Sequence, residues 1–516
     1  MSERRLRAVF YLLIFVVCLC TSLAVASPFG EFSDVGFRQS QTAITAYWMV
    51  KQGIHLAYET PVLGAPWSIP FEFPLYQEIA ATVTSTTGMS LRLAGAFTSL
   101  FFFYATLPLI FSLLGHLVSD PYKRLGLLGF VLMNPIYLFW PSTFLIESTA
   151  LFFSFLFLWA AARFLDSHNP WIWGLGVVAG MLAGLVKITT FAVFLVALGA
   201  LAVFKGVRRG THNLRLVGAT LLLFVVPVLV SMAWTSYADA VKTCNPLAAD
   251  MTSTKLVKWT FGTLDQRFSL SAWSTLLNNS GVFSAFGSSK VGDVDIYWLL
   301  PAAMLLGVLV RDRAREAAVC LLLFLAGPLL FMNLYFVHDY YFCANGVFLS
   351  LSLGFIVLGA DERCASLWKG IPRIYRMAPA LLLAIALLAL QYTKYEERYA
   401  ARAASTLPPG YRAFIDAITS HTRESDVLLV YTGDWSSVIP YLAQRKAIMD
   451  VGALPLSSPT MQKALSNLGN DRIGAMVIVG DKDSDFIEER LRRFNLREYR
   501  DPTNAFEDAH LYFAEP

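Results

Sequence analysis

Cysteine is scarce in this chain, and charge is scarcer than a soluble protein tolerates. Six cysteines occur in 516 residues. Cys18, Cys20 and Cys320 lie in apolar runs, Cys343 begins another, Cys364 sits among charged residues, and only Cys244 falls in a clearly polar stretch. No CxxC pair and no metal-ligand spacing is present, which excludes a disulfide framework or a zinc module as the organising device. A Cys244–Cys343 bridge is the one pairing left, and it is disfavoured. No GxGxxG fingerprint or Walker lysine follows a strand-like run, and internal repeats and low-complexity tracts are missing. Charged residues make up 15% of the chain against 56% hydrophobic, with a mean hydropathy of +0.53. Such a composition would expose apolar surface to water in a soluble fold. The chain therefore reads as a polytopic membrane protein. Its net charge of +4 is too small to argue for nucleic acid.

What is present is a series of apolar runs separated by short polar stretches. Arg4, Arg5 and Arg7 precede the first run, residues 8–26. Ala24-Val25-Ala26 resembles a signal-peptidase site, but Pro28 opposes cleavage and about 20 apolar residues span a bilayer, so a retained first helix is expected. Further helices are expected over 91–118, 125–140, 144–164, 171–186 with 189–204, 214–237, 296–310, 317–336, 344–360 and 377–392. Asn134-Pro135 weakens the 125–140 helix, and Lys187 stands at the turn of the tight 171–204 pair. Basic clusters such as SDPYKR, KGVRRGTHNLR and RDRARE fall on alternate loops, as the positive-inside rule requires. This gives about eleven helices, with the N-terminus cytoplasmic and the C-terminus outside. Gly176, Gly180 and Gly184, four residues apart, form a small-residue seam for a neighbouring helix.

The expected organisation is a transmembrane domain over 1–393, with outer loops at 27–90 and 238–295, followed by an extracytoplasmic domain over 394–516. In the latter, strand-like runs at 427–431 and 476–479 alternate with helical patterns at 459–468 and 484–494, the signature of a small α/β layer domain. Gly433-Asp434-Trp435 and Gly480-Asp481 read as structural turns.

Polar residues that could carry chemistry collect in the loops assigned to the outside. Glu31, Asp34 and Arg38 stand at i, i+3 and i+7 and share one face if the segment is helical. As a surface pair, Asp34 and Arg38 would be worth only about 0.3–0.5 kcal/mol, which does not account for Gln39, Gln41 and Thr42 beside them. A carboxylate against lipid has its pKa raised and suits a general base, and an arginine suits a phosphate. Glu72, flanked by Phe71 and Phe73, either caps the helix beginning near Pro74 or binds a sugar beside aromatic rings. Glu147 and Lys187 lie in apolar surroundings, where a charge costs roughly 2.5–3.5 kcal/mol and usually faces a cavity or a partner; snorkelling is the alternative. His338 and Asp339, followed by Tyr340 and Tyr341, complete the set, and a local hydrogen-bond pair is their plainest role.

These residues, in DVGFRQSQTA, EFPLY, NP followed by FLIES, GLVKITT and HDYY, together with GDW and YLAQRKAIM in the last domain, resemble the GT-C superfamily. That family comprises integral-membrane glycosyltransferases using polyprenyl-phosphate sugars, among them protein O-mannosyltransferases and aminoarabinose transferases. The resemblance implies an α-helical polytopic GT-C-like protein with a small C-terminal α/β domain, in a bacterial inner membrane. It implies an inverting transfer of a sugar from a polyprenyl-phosphate donor to a hydroxyl of a glycan, glycolipid or protein. Asp34 or Glu31 would be the base, with Glu72 as second acid. Arg38, Lys187 and His338 would hold the donor phosphate, and Gln39, Glu147, Tyr340 and Tyr341 the substrate. No cofactor is required, and a divalent metal joining Asp34 and Glu72 stays open. Two departures stand out: Val35 follows Asp34 where many relatives have adjacent acids, and Phe73 stands where aminoarabinose enzymes place a lysine. A transporter or flippase of lipid-linked saccharides is the alternative, but that class places ionisable groups near the bilayer midplane and shows inverted repeats.

Overall fold

The computed structural model describes residues 3–26, 36–209, 214–279, 288–291, 294–297, 312–368, 370, 372–449, 452–480, 482–499 and 509–515. Nine helices lead the chain: α1 (Glu3–Val25), α2 (Phe37–Gln52), α3 (Leu75–Thr87), α4 (Leu91–Leu114), α5 (Pro121–Leu132), α6 (Pro135–Phe139), α7 (Glu147–Ser167), α8 (Pro170–Arg209) and α9 (Leu214–Lys242). The chain forms two compact units. One comprises Met1–Pro28, Ala96–Met232 and Val257–Ala403; the other comprises Phe29–Gly95, Ala233–Leu256 and Ala404–Pro516.

The first unit is helical and apolar. Among the described residues six helices are long and apolar enough to cross a membrane: α1, α4, α7, α8, α9 and the run from Tyr375 onward. A seventh arises if α5 and α6, bent by 77°, form one span. The bend lies where Asn134-Pro135 was expected to weaken the helix. Asn134 caps α6, accepting from the Ile136 amide, and donates to Ser350 Oγ at 2.9 Å. The expected total of about eleven included 296–310, most of which lies outside the described residues; Ile296 and Tyr297 belong to a strand. That strand, β2 (Val294–Tyr297), pairs antiparallel with β1 (Ser288–Val291). The helix Ala314–Leu330 has only 17 residues, and Gly346–Leu367 ends in Asp361, Glu362 and Arg363.

Helix α8 is the expected tight pair, broken where Lys187 adopts φ −161° and ψ 94°. A straight helix would separate Gly176 from Gly199 by about 35 Å at 1.5 Å per residue. Yet Gly176 lies against Leu223 and Gly199 against Phe224, adjacent residues of α9. The chain therefore doubles back at Lys187. The glycine seam explains the close approach of α9. A Cβ on Gly180 would stand 2.8 Å from Pro227 Cγ, and one on Gly184 would collide with Ser231 Oγ. Packing on small residues is how apolar helices gain contact when lipid offers no hydrophobic drive.

The second unit holds a mixed five-stranded sheet. Strands β3 (Val427–Tyr431), β4 (Lys446–Met449), β5 (Ile473–Val479), β6 (Leu496–Tyr499) and β7 (Ala509–Ala514) lie in the order β4-β3-β5-β7-β6. β3 runs parallel to both β4 and β5, while β7 is antiparallel to β5 and β6. The buried runs of β3 and of β5 as far as Ile478 show why continuous apolar sequence, rather than alternation, marked them. Helices Pro459–Ser466 and Ser484–Phe494 match the expected positions. The edge of β4 is covered by residues 61–64. Ala447 and Met449 donate to the Pro61 and Val62 carbonyls at 2.9 and 2.8 Å, and Gly64 donates back to Ala447 at 3.1 Å. An edge strand left bare would invite foreign pairing. Val62, Leu63 and Ile69 are buried in one core with Phe414, Ile418, Leu428 and Val430.

Candidate functional site

Two polar clusters stand out, one in each unit. The first is built on α2. Gly36 is extended (φ −61°, ψ 150°), and the helix begins at Phe37. Glu31 and Asp34 themselves lie outside the described residues. Arg38, in the first turn of α2, donates from Nη1 to Gln41 Oε1 and from Nη2 to Glu72 Oε2, both at 2.6 Å. Gln77, in the first turn of α3, donates from Nε2 to Glu72 Oε1 at 2.9 Å. Glu72 thus has a donor on each oxygen, and Gln41–Arg38–Glu72–Gln77 forms one chain of hydrogen bonds. Helix α3 starts from Pro74 without a side-chain cap, so Glu72 is an ion-pair partner rather than a cap. Gln39 is buried on the same helix as Arg38.

The backbone around Glu72 is fixed by Tyr58. Its hydroxyl donates to the Glu72 carbonyl and accepts from the Phe71 amide, both at 2.8 Å. Burial pushes the Glu72 carboxyl up, but the charge and hydrogen bond of Arg38, helped by Gln77, outweigh this and hold it below the ordinary carboxylate range. Burial and the Glu72 charge push the Tyr58 phenol well above its ordinary value. Aromatic groups wall the stretch. Trp435 stacks on Phe71 with centroids 5.4 Å apart and meets Phe37 edge-on at 4.8 Å. Lys242 Nζ lies 4.9 Å over the Phe71 ring, and the Trp234 indole donates to the Phe71 carbonyl at 3.0 Å. Trp435 is presented by the expected turn: Gly433 takes φ +81°, and Asp434 accepts from the Ser436 amide.

The second cluster is in the membrane unit. Lys187 Nζ donates to Glu147 Oε1 at 2.5 Å, and both side chains are buried. The ammonium lies 4.0 Å from the Tyr341 ring centroid and 5.2 Å from that of Tyr340. His338 stacks on Tyr340 at 5.0 Å. Lys187 and Glu147 were expected to face a cavity or a partner, and each is the other's partner. Asp339 accepts from the Tyr399 hydroxyl at 2.8 Å and pairs with Arg398 at 3.4 Å. Helices α7 and the first half of α8 form an antiparallel hairpin, so residues nearly equidistant from its turn, as 147 and 187 are, end side by side. That symmetry is the signal in the sequence for the pairing.

The structure thus brings Arg38 and Glu72 together, and separately Glu147, Lys187, His338, Tyr340 and Tyr341. Gln77 and Tyr58 are cluster members that sequence reasoning did not single out, while Gln41 was noted only as polar surroundings and Trp435 only as part of a turn. Gln77 was signalled only by its place one turn beyond Pro74. All six cysteines are free. Among the described residues no group of three His, Cys, Asp or Glu could hold a metal ion.

No protein-family model matches the chain, and no curated protein sequence does. Among solved structures the chain is similar to ArnT from Cupriavidus metallidurans bound to undecaprenyl phosphate. The TM-score is 0.58 at 11% identity, covering 98% of this chain and 99% of that one. Apo ArnT from the same organism gives 0.49 at 11% identity, covering 98% of each. The Archaeoglobus fulgidus oligosaccharyltransferase complexed with zinc and sulfate gives 0.49 at 12% identity, covering 90% of this chain and 68% of that one. At such identity the likeness is one of fold: this chain is an α-helical integral membrane protein with the GT-C fold.

Proposed function

We propose that this chain is a membrane glycosyltransferase that moves a sugar from a polyprenyl-phosphate donor to an acceptor hydroxyl on the extracytoplasmic face, inverting the anomeric centre. The observation that carries the reading is the Arg38–Glu72 cluster, built between the first two helices of the loop region in a chain of this fold. The fold's likeness to a protein crystallised with undecaprenyl phosphate supports a lipid-phosphate donor. The acceptor is a glycan, glycolipid or protein.

In this reading the acceptor oxygen attacks the anomeric carbon. The bond from that carbon to the phosphate oxygen breaks, its electron pair leaves with the phosphate, and the acceptor proton passes to a carboxylate. Glu72 is a poor base, because its partners hold it ionised and fully hydrogen-bonded. Its role is to orient Arg38, whose fixed guanidinium stabilises the charge growing on the phosphate. The base is then Asp34 or Glu31, with Asp34 the closer in sequence to Arg38. Lys187, neutralised by Glu147, closes α7 against the turn of α8 within the membrane unit.

Asp34→Asn is expected to abolish sugar release from a polyprenyl-phosphate donor in purified protein while its thermal unfolding stays unchanged. Full activity in that variant would move the base to Glu31, and full activity in the Asp34→Asn/Glu31→Gln double variant would sink the mechanism.

A further inference from the structure

Among the described residues, two buried polar atoms of the Arg38 cluster find no hydrogen-bond partner, Gln41 Nε2 and Gln77 Oε1. Gln41 is 4% exposed and Gln77 1%. Their orientation is dictated by charge. The Arg38 guanidinium can only donate, so Gln41 must turn its oxygen to it and its NH2 away; the Glu72 carboxylate can only accept, so Gln77 must turn its NH2 to it and its oxygen away. Flipping either amide would set donor against donor or acceptor against acceptor. One end of the cluster therefore holds a spare donor and the other a spare acceptor.

Buried amide groups left unpaired are uncommon in folded proteins and weaken them. Such groups persist where a ligand supplies the missing partner. The chemistry of that ligand follows from the two atoms. A phosphate oxygen only accepts, so it could serve Gln41 and not Gln77. An ammonium only donates and could serve Gln77 alone. A hydroxyl does both.

We propose that Gln41 and Gln77 form a hydroxyl-reading pair for a saccharide, flanking Arg38 and Glu72 and deciding which sugar is accepted. The inference rests on the glycosyltransferase reading for the identity of its ligand. Arg38 and Glu72 keep 20% and 11% of their side-chain surface exposed, so the cluster is accessible at its middle, and a sugar engaging the buried amides at its two ends must shift them outward. The phosphate and the hydroxyls are thereby recognised by different residues of one cluster, the arginine for the anion and the glutamines for the sugar.

The test uses the full chain in detergent micelles, titrated with methyl glycosides of common hexoses and pentoses, their monodeoxy analogues, and undecaprenyl phosphate, with thermal shift as readout. At least one methyl glycoside is expected to bind, and one deoxy analogue to bind about tenfold or more weakly, as loss of a hydroxyl to a buried polar group should. Gln41→Met and Gln77→Met should each erase that tenfold discrimination, and Gln77→Met, whose hydrogen bond is to Glu72 and not to Arg38, should change undecaprenyl phosphate affinity less than twofold. Gln41→Asn and Gln77→Asn, which retain the amide, provide the second set should either methionine variant fail to fold. Absence of glycoside binding to the unmodified chain, or unchanged discrimination in the variants, overturns the inference. Loss of undecaprenyl phosphate binding by the unmodified chain, with glycoside discrimination intact, would instead overturn the donor assignment and leave the pair standing.

Discussion

The Lys187–Glu147 pair and the Arg38–Glu72 pair are both lysine- or arginine-to-glutamate contacts in polar clusters, yet they are built differently. Lys187 and Glu147 retain 8% and 3% of their side-chain surface; the Glu147 Oε2 atom has no partner, and aromatic rings enclose the ammonium. Arg38 and Glu72 retain more surface, and both Glu72 oxygens are occupied by charged or amide donors. The first pair is a joint between two helices, closing α7 against the turn of α8. The second is a hydrogen-bonded array with an open edge. A charged pair therefore does not announce its role by composition; burial and the count of satisfied oxygens do.

That contrast can be broken most directly at Lys187. Removing one partner of a buried pair leaves an uncompensated charge, at a cost of about 3–5 kcal/mol. Lys187→Met or Glu147→Leu should lower unfolding stability in detergent by that order, and the double variant should recover most of it. Arg38→Met should cost less by the same measurement. Equal losses at the two sites would show that both pairs are structural joints.

The next effect is on pH. Overcoming the effect of burial, the Arg38 guanidinium lowers the folded-state pKa of Glu72 from the ordinary glutamate value of 4.5, so its pairing contributes stability that is fully present above 4.5 and is lost as pH falls through the lower folded value. Unfolding of the unmodified chain should therefore become easier with acidity below pH 4.5, and Glu72→Gln should flatten that part of the profile. A profile unchanged by the substitution would remove Glu72 from the array. Smallest of all should be Glu59→Gln. Lys446 pairs with Glu59 at 2.7 Å, partly exposed, and rests over the Trp48 and Trp67 rings at 4.8 and 5.2 Å. Its loss should shift stability by about 0–1 kcal/mol, since the ring contacts survive. A larger drop would mean that partly exposed pairs carry the stability that the comparison reserves for the buried one.

The architecture was largely legible because its signals are local. Apolar runs marked most helices, Asn134-Pro135 marked the bend, and the apolar runs at 427–431 and 476–479 marked the sheet interior. The glycine seam at 176, 180 and 184 announced a close neighbour without saying which, and α9 proved to be that neighbour. Glu72 was legible as an unusual acid but not as the partner of Arg38, because the two stand 34 positions apart and the chain between them carries no signal for that distance. The same gap hid Gln77 and Trp435, ordinary residues until Pro74 and Gly433 bring them to the cluster.

The sequence by itself determined that the chain spans a membrane, where most helices run and that a small α/β layer ends it. Hydropathy and backbone propensity act over a few residues at a time, so they survive being read in one dimension. Only the tertiary structure decided that Lys187 is held by Glu147, that residues 61–64 complete the edge of β4, and that Arg38, Glu72, Gln41 and Gln77 form one array. Hydrogen bonds and ion pairs depend on distances of about 3 Å and on which atom faces which, and those are fixed by packing that brings distant parts of the chain together.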